Sequence, residues 1–282
     1  MTILITGGTG KTGGNLAKLL QSANIPFLIA TRSGKAPEPF TAVTFDWFNP
    51  ETYENPFKAD AHIDRVYIVC PIAPECLPQV GPFIDLAISK GVKRFVLLTA
   101  TRMEPGSPGP GRVHQYLVDK GVDYAVLRPS WFIQNFGSLL HHNITENNKI
   151  ESAAADGKIP WIACEDIAQA AFDALTAEKS LNKDIFVLGP ELHSYTDAAK
   201  MLTEVLGREI IHKKNSAEEQ TAAYISQGFP PEFVKLLVFV EELIAAGGEA
   251  KLLDDLPADR IYRGKLTLGD YLKENRQLWI KQ

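Results

Sequence analysis

Three glycines near the amino terminus have the spacing of a phosphate-binding turn. Gly7, Gly10 and Gly13 follow the apolar run of residues 2–6 and directly precede a segment whose apolar residues recur at helical spacing. In a strand, turn and helix of this kind, backbone N–H groups and the positive end of the helix dipole face an anion. Glycine permits the tight turn and a close approach of the backbone, although glycines can also serve geometry alone. The turn therefore predicts a pyrophosphate site for a dinucleotide. Its predicted contacts are Gly7, Gly8, Thr9, Gly10, Lys11, Thr12 and Gly13.

The cations after the second predicted strand, residues 27–31, indicate which dinucleotide is bound. In NAD-dependent folds an Asp or Glu at this tip binds the ribose diol, whereas here Arg32, Ser33 and Lys35 occupy it. A guanidinium fork with a second cation suits a phosphate on the ribose 2′ oxygen. These residues therefore predict NADP(H), and a solvated basic loop is the alternative interpretation.

Further predicted cofactor contacts lie where other strands end. Asp46 and Trp47 follow the third predicted strand and suit the adenine amino group and ring face, although a tryptophan that anchors its own loop fits nearly as well. Pro71 and Ile72 follow the fourth strand, where a Pro-rich loop suits a wall of the site. The Thr99 hydroxyl suits the nicotinamide carboxamide or a substrate oxygen, or else it bonds local backbone. The predicted contacts on the fifth and sixth strand ends are Thr99, Ala100 and Pro129.

The alternation of strands and helices predicts the fold. Strands alternate with helices six times before residue 130, which is typical of α/β proteins with a Rossmann-like, doubly wound parallel sheet. Such sheets bind ligands at the carboxyl ends of their strands. We expect residues 1–150 to form the NADP(H)-binding domain, with residues 184–190 returning to the sheet. Residues 151–282 are expected to form a smaller, mostly helical C-terminal lobe that covers the substrate.

The composition is that of an ordinary soluble globular protein, with 282 residues, 45% hydrophobic residues and a net charge of -5. The mild negative charge argues against nucleic acid or an anionic membrane as a partner. Its three cysteines form no CxxC or Cys/His cluster, which predicts a reducing compartment, no disulfides and no bound metal. No run has the features of a signal peptide or a membrane span, so a cytoplasmic protein is expected. The assembly state is left open, with a homodimer as one alternative.

Several longer segments resemble a known family. The segments are TGGTGKTG, the TRS tip, VKRFVLLTA, GVDYAVLRPSWFIQNF and the ACEDIA start of a later helix. With them the chain resembles the NmrA-like branch of the atypical short-chain dehydrogenases, and within it the fungal ergot-alkaloid reductases of the festuclavine and agroclavine dehydrogenase type. The likeness extends over nearly the whole chain. It implies the fold and NADP(H) binding, but it does not imply one particular substrate.

The resemblance also brings out a departure from ordinary short-chain dehydrogenases. Those enzymes use a Tyr-x-x-x-Lys pair, in which the tyrosine protonates a nascent alkoxide. Tyr116 and Lys120 have this spacing, but counting back from residues 121–124 puts the family's lysine near Pro110. Tyr116 and Lys120 would then lie in the last turns of their helix, where packing and the helix dipole explain them. We therefore predict a site without the dyad.

A site without the dyad favours a substrate that needs no proton donor. Reduction of a ketone leaves an alkoxide, whereas reduction of a cationic iminium leaves a neutral amine, so positioning alone suffices. We expect an NADPH-dependent oxidoreductase that reduces an imine, an iminium or an activated C=C bond of a small hydrophobic, alkaloid-like metabolite. Trp131, Phe132 and Phe136 are the candidate substrate wall, because an aromatic face also suits a cation. Each of the three is equally a candidate core residue.

Three polar residues are candidates for a catalytic role. Arg112 and His114, on the helix before the sixth strand, are candidates for assisting the reaction, together with Thr99 at the end of the fifth strand. The alternative function is a non-catalytic NADP(H) sensor, because the NmrA-like branch includes regulators that bind a dinucleotide and then a protein partner. A dinucleotide-dependent isomerase or epimerase is a weaker alternative, since no acid or base for it is identified.

Overall fold

The computed structural model describes residues 1–281, which divide into two compact units. The first unit comprises Met1–Pro129 and Cys164–Val187. The second unit comprises Ser130–Ala163 and the chain from Leu188 onward. Each unit has its own hydrophobic core.

The division differs from the boundaries expected from the sequence. Residues 130–150 belong to the second unit instead of the first, because their apolar side chains lie in the core of that unit. A strand over Lys183–Leu188 joins the sheet, and the part of the chain that belongs with the first unit already begins at Cys164, because the helix that starts there packs against the first helix of the chain.

A large sheet of the expected type organises the first unit. The strands in chain order are β1 (Thr2–Thr6), β2 (Phe27–Thr31), β3 (Ala42–Thr44), β4 (Ile63–Val69), β5 (Arg94–Leu98), β6 (Asp123–Pro129), β7 (Lys149–Ser152), β8 (Lys183–Leu188), β9 (Ile211–Lys214) and β10 (Ile261–Arg263). The sheet order is β10-β8-β6-β5-β4-β1-β2-β3, and the strands from β8 to β3 pair in parallel. The direction of the strand order reverses between β1 and β4. A crevice at the carboxyl ends of these two strands is where doubly wound sheets bind ligands.

Helices connect the strands as the alternation predicts. They are α1 (Lys11–Ser22), α2 (Asn55–Ala59), α3 (Leu77–Ser89), α4 (Pro110–Lys120), α5 (His141–Asn147), α6 (Cys164–Thr176), α7 (Tyr195–Leu206), α8 (Ala217–Ser226), α9 (Pro231–Ala245), α10 (Gly248–Asp255) and α11 (Leu268–Glu274). Among the described residues, no helix combines the length and the apolar character that a membrane crossing needs. The α/β, doubly wound fold class is confirmed.

The first unit is built around β1 and the helices that cover it. Ile3, Leu4 and Ile5 are fully buried, as expected for a strand with neighbours on both sides and layers on both faces. On α1, Leu16 and Leu20 lie four residues apart and are fully buried, so this face of the helix packs on the protein interior. The helix α6 packs against α1. Together these contacts fix the amino end of α1 at the carboxyl edge of β1.

Two arginines fix the carboxyl end of α6 to the amino half of the sheet. Arg94 Nη1 donates to the carbonyl of Ala177 at 2.6 Å and to that of Ala174 at 3.2 Å. Arg65 donates to the carbonyl of Leu175. Cations suit this end of a helix, because its last carbonyl groups have no partners within the helix. The side chains of β4 and β5 therefore position α6.

The second unit is smaller and mostly helical. Within residues 130–163 and 188–281, β7 and β9 form a two-stranded parallel sheet. The strand β10 belongs to the large sheet. Its core is aromatic: the ring centroid of Phe136 lies 5.0 Å from that of Trp161, which lies 5.1 Å from that of Tyr195. Trp279 Nε1 donates to the carbonyl of Phe136 at 3.0 Å. The chain after residue 188 is therefore tied to the segment that follows β6.

Candidate functional site

The turn between β1 and α1 leaves no room for a side chain at two of its glycines. Gly7 has a φ of 64°, which favours glycine, and the Gly10 N–H donates to the Gly7 carbonyl at 2.9 Å. A Cβ on Gly8 would lie 2.6 Å from an isoleucine of β2, and one on Gly13 would lie 2.5 Å from the Gly7 carbonyl oxygen. No side chain caps the amino end of α1 at Gly10. The first N–H groups of α1 therefore face a ligand or solvent, which is the arrangement that binds phosphate.

A buried hydrogen-bond network fixes the turn to β4. The Thr6 hydroxyl donates to the Tyr67 carbonyl at 3.0 Å and accepts the Val69 N–H at 2.9 Å. The Tyr67 hydroxyl donates to Thr12 Oγ1 at 3.1 Å. Burial raises the pKa of Tyr67 well above its ordinary value, so the phenol stays protonated and keeps this hydrogen bond. The structure thus adds Tyr67 to the residues that shape the turn.

The polar residues at the surface of the turn are Thr9 and Lys11. Both are exposed. Although the Lys11 side chain is exposed as a whole, desolvation of its ammonium group lowers the pKa of Lys11 below its ordinary value. Burial raises the pKa of Cys164 to about 12, so its thiol stays neutral near pH 7. Lys11 is therefore the basic side chain at the amino end of α1.

The cations predicted to select NADP(H) are exposed at the tip of β2. Because Thr6 pairs with Ala30, this tip lies beside the glycine turn. Arg32, Ser33 and Lys35 are exposed, and the Lys35 N–H donates to Ser33 Oγ at 3.3 Å. Within residues 1–281 neither Arg32 nor Lys35 has a carboxylate at salt-bridge distance. Both cations are therefore available to a phosphate.

The structure turns Trp47 inward. Trp47 Nε1 donates to the carbonyl of Val69 at 3.1 Å, and its ring centroid lies 4.8 Å from that of Phe45 and 5.4 Å from that of Phe83. The Asp46 carboxylate accepts the backbone N–H of Phe48 at 3.0 Å. Trp47 therefore anchors its own loop to β4, which agrees with the alternative interpretation. An adenine contact at Asp46 and Trp47 stays a prediction.

The other predicted contacts follow β4, β5 and β6. Ile72 is 90% exposed, an unusual state for an apolar side chain, and it lies in the loop after β4 beside the crevice. The Thr99 hydroxyl donates to the carbonyl of a β6 leucine at 3.1 Å, so it bonds local backbone. Pro71 and Ala100 are half-buried, and Pro129 is buried. Ile72 is therefore the predicted wall residue that presents most surface to a ligand.

An acidic residue that the sequence analysis passed over joins two loops of this edge. Glu75, in the loop after β4, accepts the Gly109 N–H at 3.0 Å and forms an ion pair with Arg112 in the first turn of α4. Arg112 was predicted to assist the reaction. The ion pair holds its guanidinium against Glu75, so its role is first to connect the two loops.

His114 lies away from the carboxyl edge of the sheet. It is 3% exposed, and its ring centroid lies 6.0 Å from that of Tyr124. Tyr124 is the second residue of β6, so the histidine ring packs against the amino half of that strand. This placement does not support the assisting role predicted for His114, because a parallel sheet binds its ligand at the opposite edge.

A buried arginine at the end of β6 organises the loop after β5. Arg128 is 1% exposed, and its Nη1 donates to Asp184 Oδ2 at 2.7 Å. Its Nη2 donates to the Thr101 carbonyl at 2.6 Å, and Glu104 completes the network by binding both nitrogens. The guanidinium also stacks over Phe186, 4.3 Å from the ring centroid. Arg128 therefore fixes the residues that follow Thr99, a role that no local pattern in the sequence indicates.

The predicted aromatic wall divides into two kinds of residue. Phe136 is fully buried in the core of the second unit, so its ring supports the fold and presents no surface to a ligand. Trp131 and Phe132 are half-buried. Ile162 N–H donates to the Trp131 carbonyl at 2.9 Å, which fixes the backbone of this segment. The structure thus leaves Trp131 and Phe132 as the candidates with accessible surface.

A carboxyl group in the second unit titrates near neutral pH. Glu241 is 0% exposed; it accepts the Tyr224 hydroxyl at 2.6 Å and the Ala153 N–H at 2.8 Å. Burial raises the pKa of Glu241 to about 7. The unfolded chain releases this proton near its ordinary pKa, so the folded state holds more protons between the two values. We expect stability to fall by about 3 kcal/mol as pH rises through this interval and to level off above about pH 7.

Urea unfolding at closely spaced pH values measures this effect. In Glu241→Gln the free energy of unfolding should decline much less with rising pH, because the amide does not titrate. Glu242→Gln is the matched control, since Glu242 is exposed on the same helix and should leave the slope unchanged. A wild-type stability that stays level between about pH 5 and about pH 7 would contradict the assignment to Glu241.

Within residues 1–281, no group of three or more His, Cys, Asp or Glu side chains is arranged to hold a metal ion.

The chain aligns along its whole length with named proteins. No family model matches it. It is 40% identical to the agroclavine dehydrogenase of Claviceps fusiformis, with 99% of each chain covered, and 38% identical to the festuclavine dehydrogenase of Aspergillus fumigatus, with 100% of each chain covered. The chain belongs to the family of the agroclavine and festuclavine dehydrogenases. This membership confirms the resemblance identified in the sequence.

A solved structure has the same fold as this chain. The Citrobacter sp. triphenylmethane reductase complexed with NADP(H) superposes with a TM-score of 0.78 and 24% identity, covering 97% of this chain and 99% of that chain. At this level of identity the likeness concerns the fold.

In this family member the Tyr116 and Lys120 side chains bind an aspartate of α3. Tyr116 Oη donates to Asp85 Oδ2 at 2.8 Å, and Lys120 Nζ lies 2.6 Å from Asp85 Oδ1. Lys120 is the last residue of α4, which leads into β6, so this end of the helix lies at the amino edge of the sheet. The glycine turn lies at the carboxyl edge. That catalysis proceeds without the dyad stays a prediction, which this placement supports.

Proposed function

We propose that this protein is an NADPH-dependent oxidoreductase that reduces an imine, an iminium or an activated C=C bond of a small hydrophobic, alkaloid-like metabolite. The observation that carries the proposal is a glycine-lined turn at the reversal of the strand order, in a chain that aligns along its full length with named dehydrogenases. The substrate class follows from the relatives, which are named for agroclavine and festuclavine.

The residues of the first unit fit NADP(H). A Cβ at Gly8 would collide with β2 and one at Gly13 with the backbone of the turn, so these glycines keep the turn tightly folded at the amino end of α1. The N–H groups of the first turn of α1, with Lys11, would hold the pyrophosphate. Arg32 and Lys35 would hold the 2′-phosphate, because each is exposed without a competing carboxylate within residues 1–281. When bound, NADPH supplies a hydride.

Three side chains with the chemistry of a proton donor or an assisting group are held in other contacts. His114 packs against the amino half of β6, Arg112 is paired with Glu75, and Tyr116 binds Asp85. An iminium substrate needs no proton, because its nitrogen becomes neutral when the carbon accepts a hydride. The protein's contribution would then be to bind and orient the substrate and to exclude water.

Two aromatic residues of the second unit are the proposed substrate contacts. Trp131 and Phe132 are half-buried and directly follow the buried pair Pro129 and Ser130. Their faces suit a polycyclic apolar substrate and attract a cationic nitrogen. Phe136 would act behind them as a core residue. Substitution of Trp131 should therefore change substrate affinity more than cofactor affinity.

Stopped-flow loss of nicotinamide absorbance tests the reaction directly. Purified protein and NADPH would be mixed with a panel of cyclic iminium ions and with ketones of matched shape. We expect turnover with iminium members of the panel and little with the ketones. Tight NADPH binding without turnover on any member would contradict the reductase and favour the sensor.

Removal of the Arg32 guanidinium should change the cofactor preference. We expect Arg32→Ala to weaken NADPH binding about 10- to 100-fold, because a charge-assisted hydrogen bond contributes ~1.5–3 kcal/mol. NADH lacks the 2′-phosphate, so its affinity should stay nearly unchanged. Calorimetric titration with both nucleotides provides the measurement.

Lys93→Ala is the control for this prediction. Lys93 is also an exposed cation, but it precedes β5 and so lies at the amino edge of the sheet. It should leave the affinities for NADPH and NADH unchanged. An equal loss of NADPH and NADH affinity in Arg32→Ala would show that Arg32 does not contact the 2′-phosphate.

A further inference from the structure

The helix α4 does not provide its own amino-terminal cap. Gly109 is the residue before its first turn and has no side chain to accept the free N–H groups. The first turn of α4 also contains no acidic residue. Helix amino termini are usually satisfied by such a side chain, because their first N–H groups lack partners within the helix.

Glu75, in a different loop, binds the residue that precedes this helix. Its Oε1 accepts the Gly109 N–H at 3.0 Å, and its other oxygen is paired with Arg112, one turn into α4. Gly109 has a φ of 70°, and a Cβ there would lie 3.6 Å from the Pro74 carbonyl oxygen, so the two loops are in direct contact. One carboxylate thus connects the loop after β4 with the loop after β5.

The ion pair of Glu75 and Arg112 is partly exposed to solvent, which favours a positioning role over a stabilising one. The side chains of Arg112 and Glu75 are 50% and 33% exposed, and ion pairs that face water contribute little to stability. The chain gains little in stability from the contact, whereas the contact fixes two loops at the edge where ligands bind.

The position of these loops indicates which half of the dinucleotide they affect. A doubly wound sheet binds a dinucleotide across the point where the strand order reverses, one half on each side. The cations Arg32 and Lys35 follow β2, so the adenosine half would lie on the side of β1, β2 and β3. The nicotinamide half would then lie on the side of β4 and β5, whose loops Glu75 joins.

We propose that Glu75 is a positioning residue for the nicotinamide half of the cofactor. It acts through the backbone of Gly109 and through Arg112, and it holds the exposed Ile72 loop against the loop that follows Thr99. This inference rests on the proposed function, since it assumes that NADP(H) is the ligand. It assigns to Arg112 a mechanical task in place of a direct contact with substrate.

Binding of whole and partial nucleotides tests the proposal. Glu75→Ala should weaken NADPH binding about tenfold, because the two loops lose the contact that fixes them, and should leave the affinity for 2′,5′-ADP, which lacks the nicotinamide half, within about twofold of wild type. Glu75→Gln keeps an oxygen for the Gly109 N–H but loses the charge. Its NADPH affinity should therefore lie between those of wild type and Glu75→Ala. The melting temperature should change little in either variant. Glu54→Gln, which removes a carboxylate paired with Lys58 and Lys90 on the same unit, is the matched control and should change neither affinity.

The outcomes separate the proposal from the function on which it rests. If wild type binds NADPH and Glu75→Ala binds it equally well, Glu75 has no positioning role. Equal losses for NADPH and 2′,5′-ADP would also overturn it, because they would indicate a general disturbance of the first unit. If wild type binds neither nucleotide, the proposed function fails and this role fails with it.

Discussion

Replacement of Gly13 by alanine is expected to weaken NADPH binding by at least about a hundredfold, or ~2.7 kcal/mol. The added Cβ would lie 2.5 Å from the Gly7 carbonyl oxygen and 2.8 Å from the Gly8 Cα, and both are backbone atoms that no side-chain rotation can move. The turn must therefore open, and several N–H groups that face the phosphates move together. Isothermal titration with NADPH measures the loss.

Gly14→Ala is the matched control for this prediction. Gly14 is the next residue of the same helix, but a Cβ there would meet only the Gly8 carbonyl oxygen, at an ordinary distance of 3.6 Å. We expect unchanged NADPH affinity and a gain of roughly 0.5–1 kcal/mol in stability, because alanine restricts the unfolded chain more than glycine does. If both variants bind NADPH like wild type, the turn is not the phosphate site.

Removal of the Arg128 guanidinium is expected to destabilise the protein by about 3–5 kcal/mol. Arg128→Leu leaves the Asp184 carboxylate, whose side chain is 13% exposed, without the cation that offsets its burial. It also removes the donor to the Thr101 carbonyl, which is buried with it. Urea unfolding followed by circular dichroism measures the change in the free energy of unfolding.

Two further variants distinguish the contributions to this network. Glu104→Gln should cost less than about 1 kcal/mol, because the Glu104 side chain is 68% exposed and water replaces its interaction. The double variant Arg128→Leu with Asp184→Leu should recover part of the loss, since it leaves no buried charge without a partner. A cost below about 1 kcal/mol for Arg128→Leu alone would show that the network contributes nothing net to stability.

The parts of the site that the sequence predicted depend on neighbours along the chain. The glycine turn and the tip at Arg32 are read from a strand, a turn and a helix within the first 35 residues, and the structure has the same elements there. The doubly wound sheet was predicted for the same reason, because each strand and helix carries its own periodicity. Family membership agrees with the longer segments that resemble the ergot-alkaloid reductases.

The parts that the sequence did not predict depend on contacts between distant residues. Tyr67 binds a threonine 55 residues away, Glu75 binds a backbone group 34 residues away, and Arg128 binds a carboxylate 56 residues away. No local pattern marks these pairs. Trp47 and Phe136 were ambiguous for a related reason, because an aromatic residue suits a core as well as a ligand, and only packing decides between the two.

The boundary between the units was missed because it does not follow the order of the chain. Residues 130–150 carry an aromatic pattern that suits either unit, and the return at Cys164 depends on α6 lying against α1. Helical periodicity in α6 shows that one face is buried but not which helix covers it.

The first unit is formed by two separate stretches of the chain, and this affects how it folds during translation. Translation delivers Met1–Pro129, then Ser130–Ala163 of the other unit, and only afterwards the segment Cys164–Val187 that covers α1 and completes the sheet beside β6. A nascent chain therefore carries an incomplete first unit until about two-thirds of the protein has been synthesised, and the surface of α1 that α6 covers stays exposed to chaperones and to other unfinished chains.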